Sequence, residues 1–422
     1  MSRPEDSPPP AAGDGSGNTG SSDGSGSSGK AAAPPPGTAG SGNRSGGGFL
    51  AAKLSDPRVR EKLLLAVSAP LLALTVAFVL VCLVITATGQ NPFHAFEAMF
   101  NYGTTDRSQV WILNKAIPYY LAAVAVAIGF RMNLFNIGVD GQYQVAAFFA
   151  AVVGGALALG GFVQIPIIIL TAMVVGALWA GIAGYLKAVR GVSEVITTIM
   201  LNAIAGSLIG YFLKEGRLAE RNQNIVHTPD IPESSRFFTI DTGAGLIYGT
   251  VVIAIAAGVA YWYLLSRTRF GFDLRAVGVS DSAAEASGVS VKRMVVASML
   301  ISGAVAGLVG MPTLLNDTGN FGNNFPSGIG FMGIAIALLG RNHPVGMALA
   351  ALLWAFLERT GGHLNFIGYY QEIIGVMQGI IVLSVVVSYE LVRRWGLRRQ
   401  QRIVGAELAA RARTNDTVEG VA

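Results

Sequence analysis

The chain has 422 residues, 52% of them hydrophobic and 13% charged, with a formal net charge of +5. Soluble domains carry about 25% charged residues, so this chain cannot cover a water-facing surface and lipid must solvate most of it. The basic excess does not point to nucleic acid: Lys and Arg gather at the ends of apolar runs, as the positive-inside rule requires of a membrane protein.

Residues 1–48 are rich in Gly, Ser, Pro and Ala and nearly free of bulky apolar side chains. Such a segment is predicted to be a disordered cytoplasmic tail, because it buries too little surface to offset its chain entropy. It has no apolar run of the signal-peptide kind, so the first span serves as its own insertion signal. Gly24-Ser-Gly-Ser-Ser-Gly-Lys30 imitates a phosphate-binding loop. It lacks the following Ser or Thr (Ala31 stands there) and has neither a strand before it nor a helix after it.

From residue 49 to residue 392 the pattern is that of a transmembrane domain. Crossing about 30 Å of hydrocarbon takes roughly 20 apolar residues. Long runs lie at Leu63–Thr88, Ile137–Leu159, Ile165–Leu186, Val195–Leu213, Ala244–Leu265, Met294–Leu314 and Tyr369–Tyr389. Shorter runs lie at Ala116–Phe130, Ile329–Leu339 and Pro344–Leu357. Together they predict an all-α polytopic membrane protein with about ten transmembrane or broken helices. Lys and Arg recur on every second connection and in the basic tail, residues 393–422, which places both termini in the cytoplasm. Cys82 sits in an apolar run and reads as core filler.

Several polar segments interrupt this pattern. Gly129-Phe-Arg-Met-Asn-Leu-Phe-Asn-Ile-Gly-Val-Asp-Gly-Gln142 brings Asn136, Asp140 and Gln142 to a membrane boundary. Non-helical backbone there must be buried in protein or line a cavity, and broken spans recurring in both halves of a chain point to a transport path. The second half has such a break in Asn316–Pro326 and Gly340–Pro344. Asp140 either lines that path or caps a helix N-terminus, where a carboxylate is favoured by about 0.3–1 kcal/mol. Glu194 poses the same choice, and Asn202 lies one to two turns inside its span, where a polar side chain faces protein or a cavity. Gly176, Gly181 and Gly184, with Gly303, Gly307 and Gly310, are spaced for close helix packing. The external loop 214–243 is either solvated or a landing surface for a partner. The four His are scattered and no H-E-x-x-H or Cys pair exists, so no metal site or catalytic triad is indicated.

The polar, Ala-rich stretch 268–293 is predicted to be an ordered cytoplasmic insert that docks a soluble partner. In this company the chain resembles the permease subunits of bacterial ABC importers, in the ribose-permease-like branch for simple sugars and nucleosides. The motifs are Leu134-Phe-Asn-Ile-Gly-Val-Asp-Gly-Gln142; Gly191-Val-Ser-Glu-Val-Ile-Thr-Thr-Ile-Met-Leu-Asn202; Thr268-Arg-Phe-Gly271 with Arg275-Ala-Val-Gly278; Ala283-Ala284 with Gly288-Val289; and Leu339-Gly-Arg-Asn-His-Pro-Val-Gly346. They cover roughly Lys62–Tyr389, and the Glu194–Asn202 run is most similar to the nucleoside-uptake members. Asp140 stands where the family usually has Glu, and Asn133 where Gly is common.

The resemblance implies a non-enzymatic transport subunit of the bacterial inner membrane. ATP and Mg would be held by cytoplasmic ATPase subunits, with no cofactor in this chain. A second related permease subunit and an external solute-binding protein would complete the machine. Residues 268–293 would hold the coupling helix: Ala283 and Ala284 permit close approach, Arg275, Asp281 and Glu285 offer polar contacts, and Gly288 belongs to the same ATPase-coupling set. Asn136, Asp140, Gln142, Glu194 and Asn202 are the candidates for the substrate path or its gate. A nucleoside is the expected cargo, its base stacking on an aromatic such as Tyr119, Tyr120, Tyr143 or Phe325. A simple sugar is the nearest alternative. An ion-coupled secondary transporter would favour a carboxylate near mid-membrane, and a membrane-embedded enzyme would need a convergent His/Asp/Glu cluster.

Overall fold

The computed structural model describes residues 57–157, 159–222, 225–370 and 372–419. The segment 1–48, expected to be a disordered tail, lies outside the described residues. The described chain is mostly helical, with almost no strand. In order come α1 (Pro57–Ala87), α2 (Pro92–Gly103), α3 (Asp106–Phe130), α4 (Val139–Ala156), α5 (Gly161–Arg190) and α6 (Glu194–Phe212). Two small hairpins follow, β1 (Glu220–Asn222) with β2 (Ile225–His227), and β3 (Thr239–Asp241) with β4 (Leu246–Tyr248). Then come α7 (Val251–Arg267), α8 (Arg269–Val279), α9 (Asp281–Ala286), α10 (Val291–Gly307), α11 (Ile329–Leu339), α12 (Pro344–Phe366) and α13 (Glu372–Glu419).

Among the described residues five helices are long and apolar enough to cross a membrane, or up to seven if each bent pair, α1–α2 and α7–α8, is one span. The protein is therefore a multi-pass membrane protein. Several boundaries differ from the sequence reading. The apolar run expected to begin at Ala116 is the end of a helix that starts at Asp106, and the run expected to end at Leu357 continues to Phe366. The span expected from Ala244 begins at Val251, because residues 246–248 pair as a strand with residues 239–241. The basic segment after residue 392 continues α13 as helix to Glu419.

Local chemistry sets the helix ends. Asn91 caps α2 by accepting from Phe93 N at 3.0 Å, with Pro92 in the first turn. Gly191, at φ +68°, closes α5 behind Lys187 and Arg190, whose charges suit the negative helix end. Thr268 Oγ1 caps α8 and Ser280 Oγ caps α9.

The centre of the bundle is α3: 78% of its apolar window is buried, against 22% of α5 and 28% of α6, which therefore sit at the periphery. Large side chains such as Leu170 and Leu178 of α5, Ile196 and Met200 of α6, and Ile255 of α7 stay exposed, as suits contact with lipid or a neighbouring subunit. α5 and α10 approach closely because glycine lines their seam. A Cβ on Gly303 would strike the Gly176 carbonyl, and one on Gly307 the Ala172 carbonyl.

The bundle has two distinct ends, separated along α3 by about 25 Å. Near its start, Asn114 donates to Leu246 O at 2.7 Å and accepts from Tyr248 N at 2.9 Å, which ties the hairpin region there. Just beyond its other end, Asn133 donates to Gly278 O at 2.6 Å, which ties α8 there.

Candidate functional site

The break between α3 and α4 is the most polar buried place described. Asn133 adopts φ +55°, a left-handed conformation that Asn tolerates better than most residues. Beyond it, Asn136 and Gln142 form a reciprocal amide pair at 3.0 and 2.8 Å. Asn136 also donates to Ser302 Oγ at 2.8 Å and accepts from Gly138 N at 3.1 Å. Ser302 passes its own proton to the Ala125 carbonyl at 2.6 Å. Four segments, α3, the break, α4 and α10, are thus tied through side chains that water does not reach.

Asp140 lies in the first turn of α4, yet its carboxylate serves another helix start. It accepts from Gly330 N at 3.2 Å, at the N-terminus of the short helix α11, and from Gln144 at 2.9 Å. Gly330 is required there, since a Cβ would overlap the Asp140 backbone. Asn202 in α6 reaches across to accept from Gly141 N at 2.9 Å and to donate to Ile137 O at 3.0 Å. Glu194 pairs with Lys187 at 2.9 Å and accepts from Phe135 N at 3.4 Å. All five sequence-predicted residues therefore converge on one junction. Four are buried and the fifth, Asn202, is half-buried; their hydrogen bonds go to the protein itself.

The two breaks are joined. Arg131 donates to Asn342 O at 2.7 Å, and Tyr261 donates to the same carbonyl at 2.8 Å. Arg341 and Asn342 both take positive φ just before Pro344 opens α12.

The segment 268–293 forms α8, α9 and the start of α10. Asp281, Ser282, Ala283 and Glu285–Gly288 are exposed, as are Phe272 and Val279. Gly288, at φ +85°, closes α9, with Val289 N bonded back to Ala284 O at 3.0 Å. One of the residues assigned to partner contacts turns inward. Ala284 is buried in the protein's own core, so Ala283 alone of that pair is presented. Arg275 donates to Leu265 O at 2.5 Å and so holds the C-terminus of α7. A polar groove of about 580 Å³ runs between this surface and the α3–α4 break, lined among others by Asn133, Lys187, Glu194, Asp281 and Lys292.

Of the aromatics considered for stacking, Tyr143 is buried and donates to Pro326 O at 2.8 Å. Tyr119 is buried against Glu358, and Tyr120 lines an apolar cavity of about 480 Å³ between α3, α7 and α12. Phe325 stands half-exposed at the edge of a polar cavity. Sequence reasoning missed a charged group inside the bundle: Lys115 of α3 pairs with Glu358 of α12 at 3.3 Å, and the same carboxylate takes the Tyr119 hydroxyl. Arg359 beside it lies over the rings of Tyr102 and Trp111. The only signal was two isolated charges at unrelated positions.

Comparison with known proteins fixes the family. Residues 109–386 match the model of the branched-chain amino acid transport system / permease component family. The chain belongs to this family. The permease is 34% identical over 339 residues to the guanosine ABC transporter permease protein NupP of Bacillus subtilis, covering 76% of this chain and 93% of the relative. It is 33% identical over 334 residues to the nucleoside ABC transporter permease protein NupB of Lactococcus lactis subsp. cremoris, covering 76% and 90%. It is 31% identical over 355 residues to the glucose ABC transporter permease protein TsgB13 of Haloferax volcanii, covering 79% and 90%. No solved structure matches it. The permease is thus a transport component rather than an enzyme, and as a family it works with ATPase and binding-protein partners.

Proposed function

We propose that this chain is one membrane subunit of an ATP-driven importer of nucleosides in the inner membrane of a bacterium. In this reading about ten transmembrane or broken helices cross the bilayer, α4, α12 and the short α11 included. Both termini and the α8–α9 surface lie in the cytoplasm, and residues 214–243 lie outside. Cytoplasmic ATPase subunits, holding ATP and Mg, receive α8–α9. A second related permease completes the path, and a solute-binding protein delivers cargo to the hairpin side. The nucleoside assignment is supported by the two relatives named for guanosine and nucleoside transport.

The observation that carries the mechanism is the continuous link from the α8–α9 surface to the buried junction. Gly278 packs against the Arg131–Met132 backbone with no room for a Cβ, and its carbonyl is held by Asn133. A push on α9 is therefore delivered to the α3–α4 break, and from there through Asn136, Gln142 and Ser302 to α10 and through Asp140 to α11. Asn136, Asp140, Gln142, Glu194 and Asn202 act as the gate's hinge, holding the two breaks in one of two arrangements that partner contacts bias by a few kcal/mol. A simple-sugar cargo is the second reading, favoured by the glucose-permease relative.

The cargo test is competition for uptake by the reconstituted complex with its binding protein. Radiolabelled guanosine or uridine should enter in an ATP-dependent manner and be displaced by unlabelled nucleosides. Displacement by ribose or glucose with no effect of nucleosides would transfer the assignment to sugars.

A further inference from the structure

The cavity at the hairpin end of the bundle is unclaimed by the junction or by the α8–α9 surface. It has a volume of about 460 Å³, inside the roughly 300–1,000 Å³ range of small-molecule sites. It forms where β2 and the residues after it meet the segment running from α10 down to α11. His227 bridges Gly322 as an antiparallel pair, and Thr228 exchanges hydrogen bonds with Phe321 at 2.9 and 3.0 Å. Just before this segment the helix geometry changes from 3₁₀ at Leu308–Gly310 to a π turn at Thr313–Asp317, an irregularity common at functional sites.

Its lining combines two chemistries. On one side stand polar groups with spare capacity. Asp230 Oδ1 accepts from Asn320 Nδ2 at 2.6 Å and lies 3.9 Å from His227 Nδ1, while its second carboxylate oxygen has no partner among the described residues. His227 Nδ1 lies 2.7 Å from the Thr228 carbonyl, which can only accept. Nδ1 therefore donates there, which leaves Nε2 as the ring nitrogen free to meet a ligand hydroxyl. The Asn324 side chain is exposed and makes no hydrogen bond among the described residues. On the other side stands Phe325, stacked on Phe321 at 4.4 Å between centroids, with Phe148 of α4 against Phe321 edge-on at 5.5 Å. Two residues of chain separate Phe325 from Gly328, the cap of α11, so the aromatic wall of the cavity leads by a short connection to the start of the short helix that Asp140 holds.

We infer that this cavity is an outer subsite for a nucleoside, in which the base stacks on Phe325 and the ribose 2′- and 3′-hydroxyls donate to Asp230 and His227. This rests on the nucleoside reading above and adds to it the place where cargo is first held by the permease. A carboxylate with an open oxygen beside a supported aromatic face suits a molecule with a vicinal diol at one end and a flat ring at the other. A free sugar uses only the first feature and a free base only the second.

The test uses the intact transporter, both permeases with the ATPase, in nanodiscs without binding protein. Saturation-transfer NMR is recorded with inosine, 2′,3′-dideoxyinosine and ribose as probes. Wild type should bind inosine with transfer to both base and ribose protons, and ribose more weakly. Asp230→Asn, which keeps the bond to Asn320, should weaken inosine by about threefold to tenfold and leave the dideoxy analogue unchanged. Phe325→Ala should weaken both by at least about fivefold. Co-purification of the ATPase with each variant confirms folding. Binding of inosine equal in wild type and both variants overturns the subsite, as does an equal loss for inosine and its dideoxy analogue in Asp230→Asn. Absence of inosine binding by a wild-type transporter that still takes up nucleosides overturns the subsite alone. A wild type that takes up no nucleoside under any condition removes the parent reading as well.

Discussion

Replacing Asn136 by Ala removes the side chain on which the α3–α4 junction turns. Its amide partners are Gln142, Ser302 and the Gly138 N–H, all buried. Ser302 keeps its bond to Ala125, but the Gln142 amide and the Gly138 N–H lose their partners. Each buried group left unpaired costs about 1–3 kcal/mol, so the substitution should destabilise by about 2–6 kcal/mol. Thermal unfolding of the purified permease in detergent micelles should fall by about 3 °C or more. The companion double variant, Asn136→Leu with Gln142→Met, removes the amides together and leaves only the Gly138 N–H unpaired. It should be more stable than the sum of the two single changes by about 0.5–3 kcal/mol, the signature of residues acting as a unit. A single variant that melts within about 1 °C of wild type, or a double variant whose effect is simply additive, would refute the idea that this pair holds the junction.

Further outcomes follow at four other positions. Gly307→Ala places a methyl group against the Ala172 carbonyl and should lower stability by about 1–3 kcal/mol. Gly206→Ala, whose new methyl group meets nothing, should leave the melting temperature unchanged or slightly raised. Asn133→Gly keeps the positive φ but deletes the bond to Gly278, so the protein should fold and bind its ATPase while transport per ATP hydrolysed falls; Asn133→Val should instead lose about 1–2 kcal/mol of stability. Lys115→Ala leaves Glu358 without its cation among half-buried neighbours, and Lys115→Ala with Glu358→Gln should recover part of the lost melting temperature. Loss equal to or greater than that of the single variant would show that the two charges act separately.

The helical, multi-pass character was legible because lipid demands long apolar runs, and those runs survive inspection one residue at a time. The boundaries were less so where charge sits inside a helix. Lys115 hid the first half of α3, and Glu358 and Arg359 cut α12 short, because a hydropathy window counts each charge as unpaired. In the structure the Lys115–Glu358 contact and the Tyr119 hydroxyl satisfy them across two helices. The same distance effect governs the junction. Its residue types stood out as polar interruptions, but Asn202 meets Gly141 across 61 positions and Asn136 meets Ser302 across 166, and no local pattern carries such pairings. Asp140 shows the limit clearly: a carboxylate in a helix's first turn reads as that helix's cap, whereas it binds the start of α11, 190 positions away. In the segment 268–293 the sequence pattern was sufficient for an exposed helical insert, while the burial of Ala284 in the core and the bond from the exposed Arg275 to α7 needed the packing.

The most direct measurement replaces Ala283–Gly288 with a Gly-Ser linker of equal length and follows two quantities in proteoliposomes. The insert should still leave the permease inserted and folded, but the ATPase should no longer co-purify and ATP-dependent nucleoside uptake should stop. Uptake that continues at the wild-type rate with the linker in place, or that runs on an ion gradient with no ATPase present, would contradict a permease driven through α8 and α9.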